Sequence, residues 1–300
     1  MYAITAVTGH VGGATARHLL AAGAAVRVTV RDPARGREWT ERGGAVAVAD
    51  FHDHAALTAA FDGCHGAFVM LPTIPTASGA DHRRLAETIA AAVADSGVRH
   101  VVALSSVGAD LAEGTGPIRW LHHLENRLAG TGAVVSALRA PHFQEKVEDV
   151  LPAATAEGIY PVFGDRADIP IPMVATRDVG AAAAALLLSA PETSQVIDLE
   201  APAYTERDVA ETLGTVLGRP LQVVTIPRSG WLASLADAGV PPLLAAALAE
   251  LFDAEQRGLL QPRSDVRMRG TTPLVDTLRD VVRAASGHAG PSTVTEAAPR

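Results

Sequence analysis

Along the first 141 residues, short and nearly unbroken apolar runs alternate with longer stretches in which apolar residues recur every three or four positions. The runs Tyr2–Val7, Ala25–Val30, Ala45–Ala49, Gly66–Leu71, His100–Leu104 and Val134–Leu138 read as strands. They lack the in–out alternation of a half-exposed strand, so both of their faces are predicted to be covered, as in a parallel sheet. Between them, Val11–Ala22, Ala55–Phe61, Asp81–Asp95 and Pro117–Ala129 read as helices, with Gly23 and Gly97 placed to supply left-handed C-caps. Such alternation predicts an α/β fold: a doubly wound parallel sheet of the Rossmann type with a smaller C-terminal lobe.

Beyond residue 141 the pattern loosens. A proline-containing segment leads to a helix starting near Asp178, a strand in "QVIDLEA", a helix opened by "YTERDVAETL", a strand in "LQVVTIP" and three further amphipathic helices. Thr205, with Asp208 three positions on, is a variant of the capping box. Residues 1–141, completed by 177–200, are expected to form a dinucleotide-binding core, and 142–176 with 201–285 a substrate lobe. Residues 286–300 are small, polar and aperiodic, which predicts a disordered tail.

The sharpest local signal is the first strand-to-helix turn, "TGHVGGAT", residues Thr8, Gly9, His10, Val11, Gly12 and on to Thr15. Gly9 and Gly12 stand where the chain must turn tightly and approach a ligand, with backbone N–H groups and the helix dipole aimed at one spot, which suits a pyrophosphate. The spacing Gly9-x-x-Gly12-x-x-Thr15 puts threonine at the third glycine position, predicting slightly wider helix–strand packing there. A strand-to-helix turn that uses glycine for sterics alone is the plainer alternative. The second strand ends in Arg31-Asp32-Pro33-Ala34-Arg35, roughly twenty residues past the turn, where a cofactor-selecting residue stands. Arg31, with Arg35 behind it, argues for NADP(H), because a guanidinium fork pairs with phosphate oxygens. Asp32 weakens that preference, since a carboxylate there can turn to a ribose, and two solvated surface arginines are the alternative.

Composition narrows the field. With 48% hydrophobic residues in 300, the chain can bury a sizeable core. A formal net charge of −8, from 25 Lys+Arg against 33 Asp+Glu, leaves no basic stripe for nucleic acid. No apolar run reaches the length of a membrane span; the longest, "VGAAAAALLLSA", fits one core helix. The single cysteine, Cys64, excludes an internal disulfide and is compatible with the cytoplasm. His52 and His54 lie one residue apart, but no convergent carboxylate or cysteine set accompanies them, so no metal is expected. Homo-oligomerisation is left open.

Four segments in order, "VTGHVGGATARHLLAAGAAVRVTVRDPARG", "GAVAVADFHDHAALTAAFDGCHGAFVMLP", "HVVALSSVGAD" and "LENRLAGTGAVVSALRAPHFQEK", resemble the NmrA-like branch of the atypical short-chain dehydrogenase/reductases. The likeness continues through "MVATRDVGAAAAALL" to about residue 285. It implies that Thr8, Gly9, Val11 and Gly12 contact the pyrophosphate and Arg31 the adenosine 2′-phosphate. It further implies that Asp50 and Phe51 meet the adenine, and that Leu71 and Pro72 lie along the nicotinamide ribose. Asp50 as a helix cap, and Phe51 and Leu71 as core residues, are the alternatives.

The wider superfamily's Tyr-x-x-x-Lys pair is missing: aligned through Glu125, its positions hold Pro117 and Leu121. For proton transfer that leaves His142, in "LRAPHFQEK", and His123, with His122 beside it, since histidine exchanges protons near neutrality. Ser105 and Ser106, ending the fifth strand, are placed to hydrogen-bond a substrate carbonyl or to satisfy loop backbone. Eleven histidines are scattered along the chain, and most must be surface or packing residues. No G-x-S-x-G elbow points to a hydrolase. The expected function is an NADPH-dependent reductase of a quinone, enone or related aromatic or polyketide-like carbonyl compound of moderate hydrophobicity. A regulator that binds NADP(H) without turnover is the alternative.

Overall fold

The computed structural model describes residues 1–288. The chain runs β1 (Tyr2–Ile4), α1 (His10–Ala21), β2 (Val26–Val30), α2 (Arg37–Glu41), β3 (Ala45–Val48), α3 (His54–Phe61), β4 (Gly66–Val69), α4 (Gly79–Ser96), β5 (His100–Ser106), α5 (Ile118–Ala129) and β6 (Val134–Ala140). It continues through β7 (His142–Phe143), α6 (Leu151–Ala156), β8 (Ile159–Phe163), β9 (Ile171–Val174), α7 (Thr176–Leu188), β10 (Gln195–Glu200), β11 (Ala203–Tyr204) and α8 (Glu206–Leu217). Last come β12 (Gln222–Ile226), α9 (Trp231–Asp237), α10 (Pro242–Gln256), β13 (Arg267–Arg269) and α11 (Leu274–His288).

Eight strands form one sheet in the order β3-β2-β1-β4-β5-β6-β10-β13, and every pairing in it is parallel. This is the doubly wound α/β fold the strand pattern predicts, with the order reversing between β1 and β4. Both faces are covered except at β3, an edge strand whose Ala45 and Val48 are exposed, so the expectation of a strand covered on both faces is corrected there. On one face, Phe61 of α3, Ile89 of α4 and Leu124 of α5 bury against Val69, Val101 and Val135. On the other, Leu19 of α1 and Val179 of α7 bury against Val28, Val102 and Ile197. Neighbours such as Val101 and Val102 therefore enter opposite cores, and each fully buried side chain of this size contributes about 1.5–3 kcal/mol. The helices α1 and α7 touch so closely that a Cβ on Gly180 would lie 2.4 Å from that of Ala14.

A third core, built around Val147, Leu151, Tyr160, Val209, Leu213 and Leu278, joins α6, β8, α8 and α11. Beside it lie a three-stranded sheet, β11-β9-β7, and the parallel pair β8–β12. Helix α8 opens with the capping box expected at Thr205 and Asp208. Among the described residues no helix is long and apolar enough to cross a membrane.

Three local differences from the sequence pattern have physical causes. β1 stops at Ile4 because Thr5 gives both its N–H and its hydroxyl to the Phe68 carbonyl (3.1 and 3.0 Å) and Ala6 then takes a positive φ of 51°. Helix α4 begins at Gly79, because Ser78 and Asp81 form a reciprocal capping box ahead of the apolar period. The turn Pro33–Gly36 and the five-residue α2 are too short to show a period, although Asp32 caps that turn by accepting from the Ala34 N–H at 2.9 Å. Helix α11 runs to His288, three residues past Ala285; the rest of the predicted disordered tail lies outside the described residues.

Candidate functional site

Parallel pairing brings the ends of six strands to one edge of the sheet. In order across it lie Asp50 and Phe51 after β3, Arg31 after β2, Thr8–Gly12 after β1, Leu71 and Pro72 after β4, Ser106 ending β5, and His142 just beyond β6. From β2 to β6 this is four strand spacings, about 19 Å. The carboxyl edge at the order reversal is where open α/β sheets bind ligands.

At its centre, helix α1 starts at His10 with Gly9 as an N-cap that makes no side-chain hydrogen bond. Thr8, Gly9 and His10 are exposed, so the first-turn amides open to solvent at the positive end of the helix. Gly12 plays a different part. It is buried, and a Cβ there would sit 2.4 Å from the Ala6 carbonyl oxygen and 2.6 Å from that of Thr5. Close helix–strand approach thus falls on Gly12, and the expectation that Thr15 fills the third glycine position is corrected. The functional frame is Ala6-x-x-Gly9-x-x-Gly12, with Ala6 in the left-handed turn position. Thr15 is fully buried, its hydroxyl donating to the Val11 carbonyl at 2.9 Å.

A cleft of about 320 Å³ opens beside this turn, lined by Thr8, Gly9, His10, Arg17, Arg35, Glu38 and the edge of buried Trp39. Arg17 was not among the sequence candidates. It lies two helical turns after His10, and its guanidinium reaches back over Gly13, where a Cβ would be 3.2 Å from its Nη1. The i, i+7 spacing was the available signal. Arg31 is exposed and outside the cleft lining, and its charge helps hold the Asp50 carboxyl below its ordinary range. The larger cause of that lowering is the hydrogen bond from the His52 N–H at 2.9 Å. Asp32 caps the following turn, accepting from the Ala34 N–H at 2.9 Å through Oδ1. An uncapped helix start flanked by Arg17 and Arg35 fits a phosphate-rich dinucleotide.

Asp50 forms a turn with His52, while Asp53 caps α3 through the Ala56 N–H at 2.9 Å. Phe51 is half-buried against the first core, Leu71 is buried in it and Pro72 is half-buried. Leu71 therefore offers backbone, not side chain, to the edge.

At the other end, Ser106 pairs in register with Ala140, two residues before His142. The Ser106 hydroxyl donates to the Val107 carbonyl at 3.1 Å, and Ser105 donates to Glu125 at 2.5 Å. Glu125 also takes a two-pronged grip from buried Arg139, at 3.0 and 2.7 Å. His122 is held by the Ala109 carbonyl (2.8 Å) and the Asn126 amide (2.9 Å). His123 points the other way, to Glu87 of α4 at 3.4 Å, and the structure does not bring it to the edge. His142 does reach it. Its Nδ1 lies 3.9 Å from Glu255 of α10, a residue with no local sequence signal. Among the described residues no cluster of three or more His, Cys, Asp or Glu is arranged to hold a metal ion.

The model of the NmrA-like family matches residues 2–260. The chain belongs to the NmrA-like family. It is 26% identical over 254 residues to an NAD(P)H azoreductase of Xenophilus azovorans, covering 84% of this chain and 86% of the relative. It is 30% identical over 265 residues to a (4-alkanoyl-5-oxo-2,5-dihydrofuran-3-yl)methyl phosphate reductase of Streptomyces griseus, covering 86% and 88%. A crystal structure of an NADPH-dependent quinone oxidoreductase from Escherichia coli, complexed with NADPH, superposes with a TM-score of 0.80 at 25% identity, covering 94% of this chain and all of that one.

Proposed function

We propose that this NmrA-like protein is an NADPH-dependent oxidoreductase, passing hydride to a quinone, an enone or a related conjugated aromatic or polyketide-like compound. The observation that carries the reading is the uncapped start of α1 flanked by Arg17 and Arg35, on the edge that ends at Ser106 and His142. A bound nicotinamide would supply the hydride. Amides of Thr8 to Gly12 hold the diphosphate, Arg31 and Arg35 the 2′-phosphate, Asp50 and Phe51 the adenine, and the backbone at Leu71 and Pro72 the nicotinamide ribose. The three relatives are named for azo, dihydrofuranone and quinone acceptors, each an electron-poor conjugated system.

Such an acceptor gathers negative charge on oxygen or nitrogen as it takes up hydride, so it needs a proton donor but not a strongly acidified tyrosine. His142 and the Ser106 hydroxyl are the donors at hand, and His123, turned to Glu87, is left out of the assignment. Residues 142–176 and 201–285 supply the substrate wall. Phe163, Phe252 and Trp231 form an aromatic group there, with ring centroids 4.8 and 5.7 Å apart, which favours a moderately hydrophobic substrate in a cytoplasmic enzyme.

Oxidation of NADPH followed by its absorbance over a panel of quinones tests the activity, with saturable turnover expected. Tight NADPH binding with no turnover on any acceptor would return the protein to the regulator reading. Arg31→Ala should weaken NADPH binding by about tenfold to a hundredfold and leave NADH nearly unchanged.

A further inference from the structure

Helix α10 carries three carboxylates within six residues, and they are treated differently. Glu250 pairs with Arg119 at 2.5 Å. Asp253 pairs with Arg228 at 2.5 Å and Arg257 at 3.5 Å. Glu255 has no arginine partner and no side-chain hydrogen bond among the described residues; the basic group facing it is His142, Oε1 to Nδ1 at 3.9 Å. The helix is fixed there, since Phe252, one turn before Glu255, stacks on Phe163 and meets the edge of Trp231. A half-buried carboxylate left without a guanidinium is unfavourable for the fold and calls for a reason.

We propose that Glu255 is a positioning residue for proton delivery: it accepts the Nδ1–H of His142 and so turns Nε2–H toward the acceptor. This rests on the reductase reading above. In the step, the Nε2–H bond of the imidazolium breaks and an O–H bond forms on the acceptor as hydride completes its two-electron reduction. The Nδ1–H stays donated to Glu255, and water returns a proton to Nε2. At 3.9 Å the pair stands beyond hydrogen-bond length, and the proposed bond requires the two side chains to close by about 1 Å.

Three titratable groups face Glu255 from separate elements. They are His142 from β7, Glu206 from the first turn of α8, and behind Glu206, hydrogen-bonded to it at 2.7 Å, Tyr160 from β8. Burial pushes the Glu255 carboxyl up, His142 works against that rise, and Glu206 adds to it. The Tyr160 hydroxyl is driven well above its ordinary value by burial and by Glu206, so it remains a donor to Glu206.

The test has two arms. In the free protein, 13C NMR of labelled glutamate carboxyls should show Glu255 titrating above ordinary glutamates, and His142→Gln should move it higher. With NADPH and a quinone, Glu255→Gln should lower kcat by about tenfold to a hundredfold with NADPH affinity unchanged. It should also erase the acidic limb of the kcat profile, which Glu255→Asp should restore in part. A Glu255 titration indifferent to His142→Gln, or a Glu255→Gln enzyme with wild-type kcat and pH profile, overturns the proposal. If the wild type reduces no acceptor, the reductase reading fails instead, and the NMR arm still decides whether the two side chains are coupled.

Discussion

The two ends of the binding edge are built by opposite means. The proposed dinucleotide end is contiguous: Thr5 to Arg17 supply the turn, the amides, the close-packed glycine and one guanidinium, so in the proposed reading backbone does most of the holding. The acceptor end is assembled from β5, β7, β8, α8 and α10, and side chains as far apart as Ser106 and Glu255 hold it. Amides at a helix start serve any diphosphate, so that end can stay constant, whereas substrate chemistry must be met by side chains delivered from separate elements.

The largest expected effect separates two glycines of the same turn. Gly12→Ala drives a methyl into the backbone of Thr5 and Ala6 and should destabilise the fold by about 3 kcal/mol in urea unfolding. At Gly9 a Cβ would lie 3.4 Å from the Ala6 carbonyl oxygen, and φ −95°, ψ 171° suits any residue. Gly9→Ala should therefore stay within about 1 kcal/mol of wild type and lose NADPH affinity at least about tenfold, as read by calorimetry. Equal stability losses would mean that the hydrogen of Gly9, like that of Gly12, is required for packing.

Next come the guanidiniums. Arg35→Ala and Arg17→Ala should each weaken NADPH binding by about tenfold, some 1.4 kcal/mol, with little change in melting temperature. An unchanged Kd for both would detach the cleft from the cofactor.

A smaller effect guards the pH experiment at the acceptor end. His100, at the amino end of β5 and away from the site, is buried, and burial holds its pKa below 6.5. Its neutral form is favoured in the fold, so the stability it supports is present above pH 6.5 and is lost as pH falls through the folded value. His100→Gln should flatten the acidic fall in melting temperature without altering the kcat limb assigned to Glu255. Glu255 has the reverse sign: its raised pKa means stability is lost as pH rises from the ordinary carboxyl range through the folded value. Glu255→Gln should then melt higher than wild type at neutral pH.

The smallest effect is at Ala6. Relief of its left-handed backbone, offset by the extra freedom of glycine when unfolded, should make Ala6→Gly more stable by about 0.5 kcal/mol.

Much of this was legible in the sequence where one element carries the information. Unbroken apolar runs marked the strands, though β3 at the sheet edge is left partly open, and Thr205 with Asp208 marked a helix start. The glycine turn was recognisable too, but its frame was displaced by three residues because Ala6 stands where glycine is usual and so gave no signal. The sequence left Asp32 and Asp50 with a ligand reading and a structural one each, and the structure adds their local bonds, from the Ala34 N–H to Asp32 and from the His52 N–H to Asp50. The sequence favoured His142 over His123 on its segment alone; helix phase sends His123 to Glu87, and strand register brings His142 to the edge.

By itself, then, the sequence determined the parallel sheet, the glycine turn at the start of α1 and the preference for a phosphorylated dinucleotide. Each of these depends on periodicity or on neighbours within one turn. Tertiary structure decided which glycine packs, which arginines line the cleft and which carboxylate faces His142. Those depend on distances between residues up to about a hundred positions apart, set by sheet order and helix packing that no local pattern encodes.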